Sequence, residues 1–392
     1  MIFTTTRSIL EAEDDDMVRL HRRNPDDDEF YFTAFAVTMI TCSLSIFGSI
    51  TIVVAVLRAH LYRDSLMQRL MLGLSGVDLI TSIATLVQTF LLPKYTGFPM
   101  AVGTDATCEA VAFCFMFLYA SYLYSCGLSL YFLLTVKCGW SEKQTAKWLD
   151  PWVHVIPWTA AFLVGSIGIV SGSLNPNEAL GGCMFNSYPA GCQWNPALEC
   201  TRGGNSTNIM MVVYSAMVLL ASCMGILCIV LVWKAVREQM RRSALSDVSE
   251  LNRQRLHRTK AVAIQATLYS LVFLNSTFVT VVGIAVSILQ TKIRRIPMLR
   301  NGTLILLYIF MPSQGFLNMI IYMRPTVTRW KNRYPDLSWM GACRLALNGG
   351  QSLPKGGDHH RSFRTARSPA QADDTSSTFE TPNPQQLPVS EP

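Results

Sequence analysis

The sequence predicts an all-α membrane protein: a seven-transmembrane helix bundle, N-terminus outside, with a disordered cytoplasmic C-terminal tail. Three observations carry this. Seven apolar runs lie along the 392 residues, and each is long enough to cross a hydrocarbon core of about 30 Å at about 1.5 Å per helical residue. Half the residues are hydrophobic and 15% are charged, against about a quarter charged in soluble domains. The net charge of +7 comes from Lys and Arg gathered between the runs and in the tail, a distribution that fits a membrane surface and not a nucleic-acid partner.

Taken in order, residues 1–30 form an acidic tail with Asp14 to Asp16 and Asp26 to Asp28. They lack the apolar core of a cleaved signal peptide, so the first span is expected to act as its own insertion signal. Spans are expected near Tyr31–Leu57, Leu70–Leu92, Glu109–Val136, Trp152–Gly172, Asn208–Trp233, Ala261–Leu289 and Thr303–Met323, forming a bundle over residues 31–323. Connections one, three and five hold 3, 3 and 8 Lys and Arg, a sum of 14; connections two, four and six hold 1, 1 and 4, a sum of 6. Basic residues near span ends are retained in the cytoplasm, so the N-terminal tail is extracellular. The sixth connection, with Lys292, Arg294, Arg295 and Arg300, runs against the rule and reads as a solvated outer loop.

Beyond the last span, residues 324–347 read as an amphipathic juxtamembrane segment. Val327, Trp330 and Tyr334 share a face, Arg329 and Arg333 lie on another, and Pro335 ends the helix. Residues 348–392 are rich in Gly, Pro, Ser, Thr and Gln and read as a disordered cytoplasmic tail. Candidate phosphorylation sites are Ser243 in the third inner loop and Ser368, Thr375, Ser376 and Ser377 in the tail.

Four of the eleven Cys fall outside: Cys108, Cys183, Cys192 and Cys200. An even set in an oxidising compartment can pair in three ways. Cys108, at the outer end of span three, is placed to tether the long fourth connection; Cys108 with Cys192, and Cys183 with Cys200, is the favoured pairing. Asn205 and Asn301 are the outer glycosylation candidates.

Polar residues within the spans carry the functional signal. Asp78 is the one acid well inside a span, where an ionisable group costs about 2.5 to 3.5 kcal/mol on insertion scales. Gln314 and Asn318, at i and i+4 in span seven, share one face, and Asn318 lies in the same inner half of the bundle as Asp78. The three are expected to meet, with Pro312 and Gly315 loosening the helix beside them. Such a cluster is either a switch, with a bound sodium ion or a proton, or a static clasp between helices. Phe115, Tyr119 and Tyr122 recur at i, i+4 and i+7 and are expected to line one face; with Trp194 of the fourth connection they are candidates for a ligand pocket, or simply packing.

Catalytic groups are not expected. One of six His lies in a span, and no paired acids, no nucleophile beside a base and no phosphate loop appears, so neither a metal site nor a cofactor nor an enzymatic activity is inferred.

Three segments carry a resemblance: Arg69-Leu-Met-Leu-Gly-Leu-Ser-Gly-Val-Asp78, His154-Val-Ile-Pro157-Trp158 and Pro312-Ser-Gln-Gly-Phe-Leu-Asn318-Met-Ile-Ile-Tyr322. With the seven spans over about Tyr31 to Tyr334 they resemble the G-protein-coupled receptor superfamily, and its cyclic-AMP-receptor-like and secretin-like branches more than its rhodopsin-like branch. Span three ends in Leu134-Thr-Val-Lys-Cys138 where the rhodopsin-like branch has Asp-Arg-Tyr, and span six lacks Cys-Trp-x-Pro. The resemblance implies a receptor in the plasma membrane that takes an extracellular ligand and acts on a heterotrimeric G protein. Lys137, Arg237, Arg241, Arg242, Arg258, Lys260 and Arg324 are the candidate G-protein contacts. The alternative is a transporter or channel that uses Asp78, Gln314 and Asn318 as its path, tested by flux in liposomes.

Overall fold

A computed structural model describes residues 25–58, 65–98, 100–177, 181–189, 192, 198–245, 250–288 and 297–347. The elements described lie within the unit Met1–Ser352. Among the described residues, six helical segments are long and apolar enough to cross a membrane, and a bent pair makes a seventh when its halves are counted together.

The chain begins with α1 (Pro25–Arg58) and α2 (Leu66–Val87). Helix α2 stops five residues short of the expected Leu92 and passes into a turn, where the Phe90 amide bonds the Val87 carbonyl three residues back at 3.1 Å. The third span is broken into α3 (Asp105–Phe115) and α4 (Phe117–Val136), meeting at Met116. Thr104 caps α3 in a reciprocal capping box with Thr107. This span is the axis of the bundle: 78% of its apolar stretch is buried, against 28% for the fourth and fifth spans.

Helix α5 (Glu142–Val170) starts ten residues before the expected Trp152. Ser141 caps it, and Thr145, Leu149 and Val153 bury one face at i, i+4 and i+8. Its small residues admit neighbours: a methyl group on Gly165 would lie 2.6 Å from the Phe113 ring. Helices α6 (Asn205–Leu245) and α7 (Glu250–Ile288) run past the expected spans, α6 beyond Trp233 at its end and α7 before Ala261 at its start. The last span is α8 (Pro297–Phe310) and α9 (Gln314–Arg333), bent by 42° at Met311–Ser313.

Helix α9 runs without a break through Pro325, so the expected juxtamembrane helix is the end of the last span itself. Val327 is buried there, Arg329 and Arg333 are exposed, and Trp330 stacks on Tyr334 at 5.9 Å. Lys331 Nζ donates to the carbonyls of Pro335 and Leu337, closing the turn into a further helix, α10 (Trp339–Leu347), which the sequence reading did not anticipate.

The fold is not wholly helical. Strands β1 (Leu174–Asn177) and β2 (Gly182–Phe185) pair antiparallel, Leu174 opposite Phe185, and pack on α3. This hairpin corrects the disulfide pairing. Cys108 bonds Cys183, and Cys192 bonds Cys200. The hairpin sets Cys183 against α3, while the Tyr188–Arg202 bridge closes a loop that brings Cys192 and Cys200 together, their Cα atoms 5.3 Å apart. Arg202 also pairs with Glu109, which fastens this loop to α3.

Candidate functional site

The spacing of small polar residues builds the site. On α2, Ser75, Asp78 and Ser82 fall at i, i+3 and i+7, and on α1 Ser45 and Ser49 fall at i and i+4; all five are buried. Helix α9 contributes Gln314 and Asn318, and it reaches them because Gly48 and Gly315 let α1 and α9 touch. A methyl group on Gly315 would lie 2.4 Å from Ser49 Oγ and 2.6 Å from Ser45 Oγ; one on Gly48 would lie 2.7 Å from the Gly315 carbonyl oxygen.

Asp78, 4% exposed, is gripped from two sides. Ser121 Oγ on α4 donates to Oδ1 at 2.6 Å, and Asn318 Nδ2 donates to Oδ2 at 3.1 Å. Gln314 Nε2 donates to Ser121 Oγ at 2.8 Å, so Ser121 is the hub that joins Asp78 to Gln314. A cavity of about 20 Å³ adjoins them, lined by Ser45, Thr81, Ser82, Asp78 and Gln314 among others. At about 10–15 Å³ per water centre it has room for a single water molecule or ion. Gln314 Oε1 is buried and has no hydrogen-bond partner among the described residues. A buried acceptor without a donor carries an energetic cost that a rearrangement of the cluster would relieve.

Towards the other end of α2 a second network links Arg69 to α5 and α4. Arg69 Nε pairs with Asp150 Oδ1 at 3.0 Å, and His154 Nε2 lies 3.4 Å from the same oxygen. Tyr124 Oη sits 3.0 Å from His154 Nδ1 and accepts from Trp158 Nε1 at 3.0 Å. With Trp158 as donor, the Tyr124 proton is free for Nδ1, which leaves the His154 proton on Nε2 facing Asp150. Gly73 makes room for this, since a methyl group there would lie 2.6 Å from the Tyr124 ring. Glu142 closes the end of the bundle: Oε1 accepts from Leu66 N at 2.8 Å and Ser65 Oγ at 3.0 Å, and Oε2 from Tyr131 Oη at 2.8 Å. It caps α2 from a remote helix.

The aromatic candidates lie on both sides of the break at Met116: Phe115 ends α3, and Tyr119 and Tyr122 belong to α4. Phe115 borders the cavity beside Asp78. Tyr119 packs on Tyr214 and Tyr122 on Phe273, with ring centroids 5.9 and 6.2 Å apart. All three are buried. Trp194 lies outside the described residues, as do Ser368, Thr375, Ser376 and Ser377.

Lys137 at the C-terminus of α4, Arg237 and Arg241 in the last turns of α6, Lys260 in α7 and Arg324 in the middle of α9 are exposed; Arg242, Ser243 and Arg258 lie in helical stretches whose side chains are not described. Lys137 and Lys234 border an open cavity of about 420 Å³ between α4 and α6. Asn205 is the exposed first residue of α6, and Asn301 lies within α8. Ser121, Ser45, Ser82, Glu142 and Asp150 were not singled out by sequence. The Ser and Asp spacing on α1 and α2 was a readable signal; Ser121, lodged among aromatics, offered none.

Neither models of known protein families nor curated proteins match this chain.

Proposed function

We propose that this membrane protein is a receptor of the G-protein-coupled kind, with its N-terminus outside, carrying an extracellular signal to a heterotrimeric G protein. The observation behind this reading is the Asp78–Ser121–Gln314–Asn318 cluster, which ties α2, α4 and α9 together directly beside the 42° bend of the last span. A buried polar network next to a bend has two ways of satisfying its groups, and a ligand that prefers one of them shifts the population. Release of Asn318 from Asp78 would free the inner part of α9, with α6 and α7 beside the third span able to follow. The exposed Lys137, Arg237, Arg241, Lys260 and Arg324 then offer basic contacts to an acidic partner surface.

The test is nucleotide exchange. Purified protein in lipid nanodiscs is expected to accelerate exchange on at least one heterotrimeric G protein, and Asp78→Asn to change that rate without loss of folded protein. No acceleration on any G protein, with any ligand pool, would sink the reading. Ion flux in liposomes that depends on Asp78 would replace it with the transporter or channel alternative.

A further inference from the structure

The open cavity of about 420 Å³ between α4 and α6 takes no part in the polar cluster; among the described residues Lys137, Leu231, Lys234, Ala235, Glu238 and Gln239 line it. Its volume falls in the range of about 300–1,000 Å³ typical of small-molecule sites. The helical period builds its long wall. Leu231, Lys234, Ala235 and Glu238 fall at i, i+3, i+4 and i+7 on one face of α6, while Val232 and Val236 turn into the core and are buried. Trp233 Nε1 donates to Thr267 Oγ1 of α7 at 2.7 Å, which fixes the rotation of α6 at this level. Lys137 stands across from this wall, at the C-terminus of α4.

The depth of the two lysines in the membrane follows from the sequence. Lys137 comes directly after Val136, the last residue of α4 and of the expected third span, and Lys234 directly after Trp233, where the expected fifth span ends. Each is the first charge beyond an apolar run, the level at which lipid head groups begin. Towards the middle of the membrane the same face of α6 continues as Leu227, Met224 and Leu220, which are 53%, 48% and 62% exposed. An exposed apolar row that runs into a charged cavity matches the outline of a lipid, chains along the row and head group in the cavity.

We propose that this cavity binds the head group of phosphatidylserine. The charged groups present select it. Lys137 and Lys234 supply two cations for two anions, the phosphate and the serine carboxylate, and Glu238 offers an acceptor to the serine ammonium. A carboxylate accepts at about four lone-pair positions, so the ammonium joins whatever partner Glu238 already holds. Phosphatidylglycerol has one anion and no cation to offer these groups, and phosphatidylcholine has a quaternary ammonium with no N–H and no carboxylate. Serine lipids belong to the cytoplasmic leaflet, the side to which the proposed orientation assigns these helix ends. The site stands on its own geometry; only its leaflet rests on the receptor reading.

Photolabelling of the full chain in phosphatidylcholine nanodiscs tests it, with phosphatidylserine, phosphatidylglycerol and phosphatidylcholine that carry the same photoreactive acyl chain at equal mole fraction. The serine lipid is expected to label residues 220–231 about five-fold more than the glycerol lipid. Lys137→Gln and Lys234→Gln should each lower labelling by the serine lipid about five-fold, the worth of about 1 kcal/mol per basic residue at a membrane surface. Glu238→Gln should remove the preference for serine over glycerol and keep that for glycerol over choline. Lys147→Gln, at an exposed lysine of α5, should change nothing. Equal labelling by the serine and glycerol lipids overturns the proposal and marks general attraction to a basic surface; labelling that neither lysine variant lowers overturns the cavity as the site. Displacement of the serine lipid by free phosphoserine at equal concentration would make a soluble anion the occupant and overturn the lipid. Both faces of a nanodisc carry the same lipids, so the labelling does not depend on orientation, and nucleotide exchange is read separately. Selective labelling without any exchange upholds the site and counts against the receptor; exchange without selective labelling does the reverse.

Discussion

Ser121 holds two buried partners at once, giving its proton to Asp78 and accepting one from Gln314. Removing it leaves Asp78 Oδ1 and Gln314 Nε2 unmatched, with Asn318 still on Oδ2, so Ser121→Ala is expected to cost about 1–3 kcal/mol and lower the thermal midpoint in detergent. An unchanged midpoint would mean that water replaces the hydroxyl at no cost. Two glycines give a matched pair of opposite sign. Gly315→Ala pushes a methyl group into Ser49 and Ser45, while a methyl on Gly76 meets nothing within 4 Å. The first should destabilise by about 1–3 kcal/mol through overpacking and the second should be neutral or stabilising by up to about 1 kcal/mol, as melting curves of the two variants would show. Asp78, Gln314 and Asn318 were legible because a polar side chain in an apolar run needs a reason. Ser121 was not, since a helical serine usually satisfies itself on its own backbone, as Ser215 and Ser222 do here.

Among the elements, the bend between α8 and α9 has a specific cause. Pro312 has no amide proton, so the Tyr308 carbonyl four residues earlier loses its helical donor, and Thr41 Oγ1 of α1 reaches it at 2.9 Å instead. Pro312→Ala restores the donor. It is expected to straighten the last span, seen as a changed distance between spin labels on α8 and α9, and to blunt any G-protein response while leaving the midpoint equal or higher. The start of α2 is set from outside its own sequence: its cap is Glu142, 76 residues away from Leu66. Glu142→Gln should weaken that charge-assisted cap by about 1 kcal/mol, measurable as faster amide exchange over the first turn of α2. Proline and the i, i+4 pattern made the bend foreseeable. The break at Met116 was not, because nothing in that run departs from helical composition.

For the whole molecule, the proposed orientation places the exposed Cys138 and Cys343 in the cytoplasm. A membrane-impermeant maleimide is therefore expected to label them only after cells are permeabilised; labelling of intact cells would invert the topology. The sequence by itself determined that the chain is a set of long apolar helices, because burial in lipid demands a run of apolar residues and that run is local. It also singled out Asp78 and its partners on the last span, since the cost of a buried polar group is written at one position. Only the tertiary structure decided how distant segments meet. The β1–β2 hairpin joined Cys183 to Cys108. Ser121 became the hub of the cluster, and Lys137 and Lys234 came to border one cavity. Each depends on two chain segments arriving at one place, and a linear pattern holds no term for that distance.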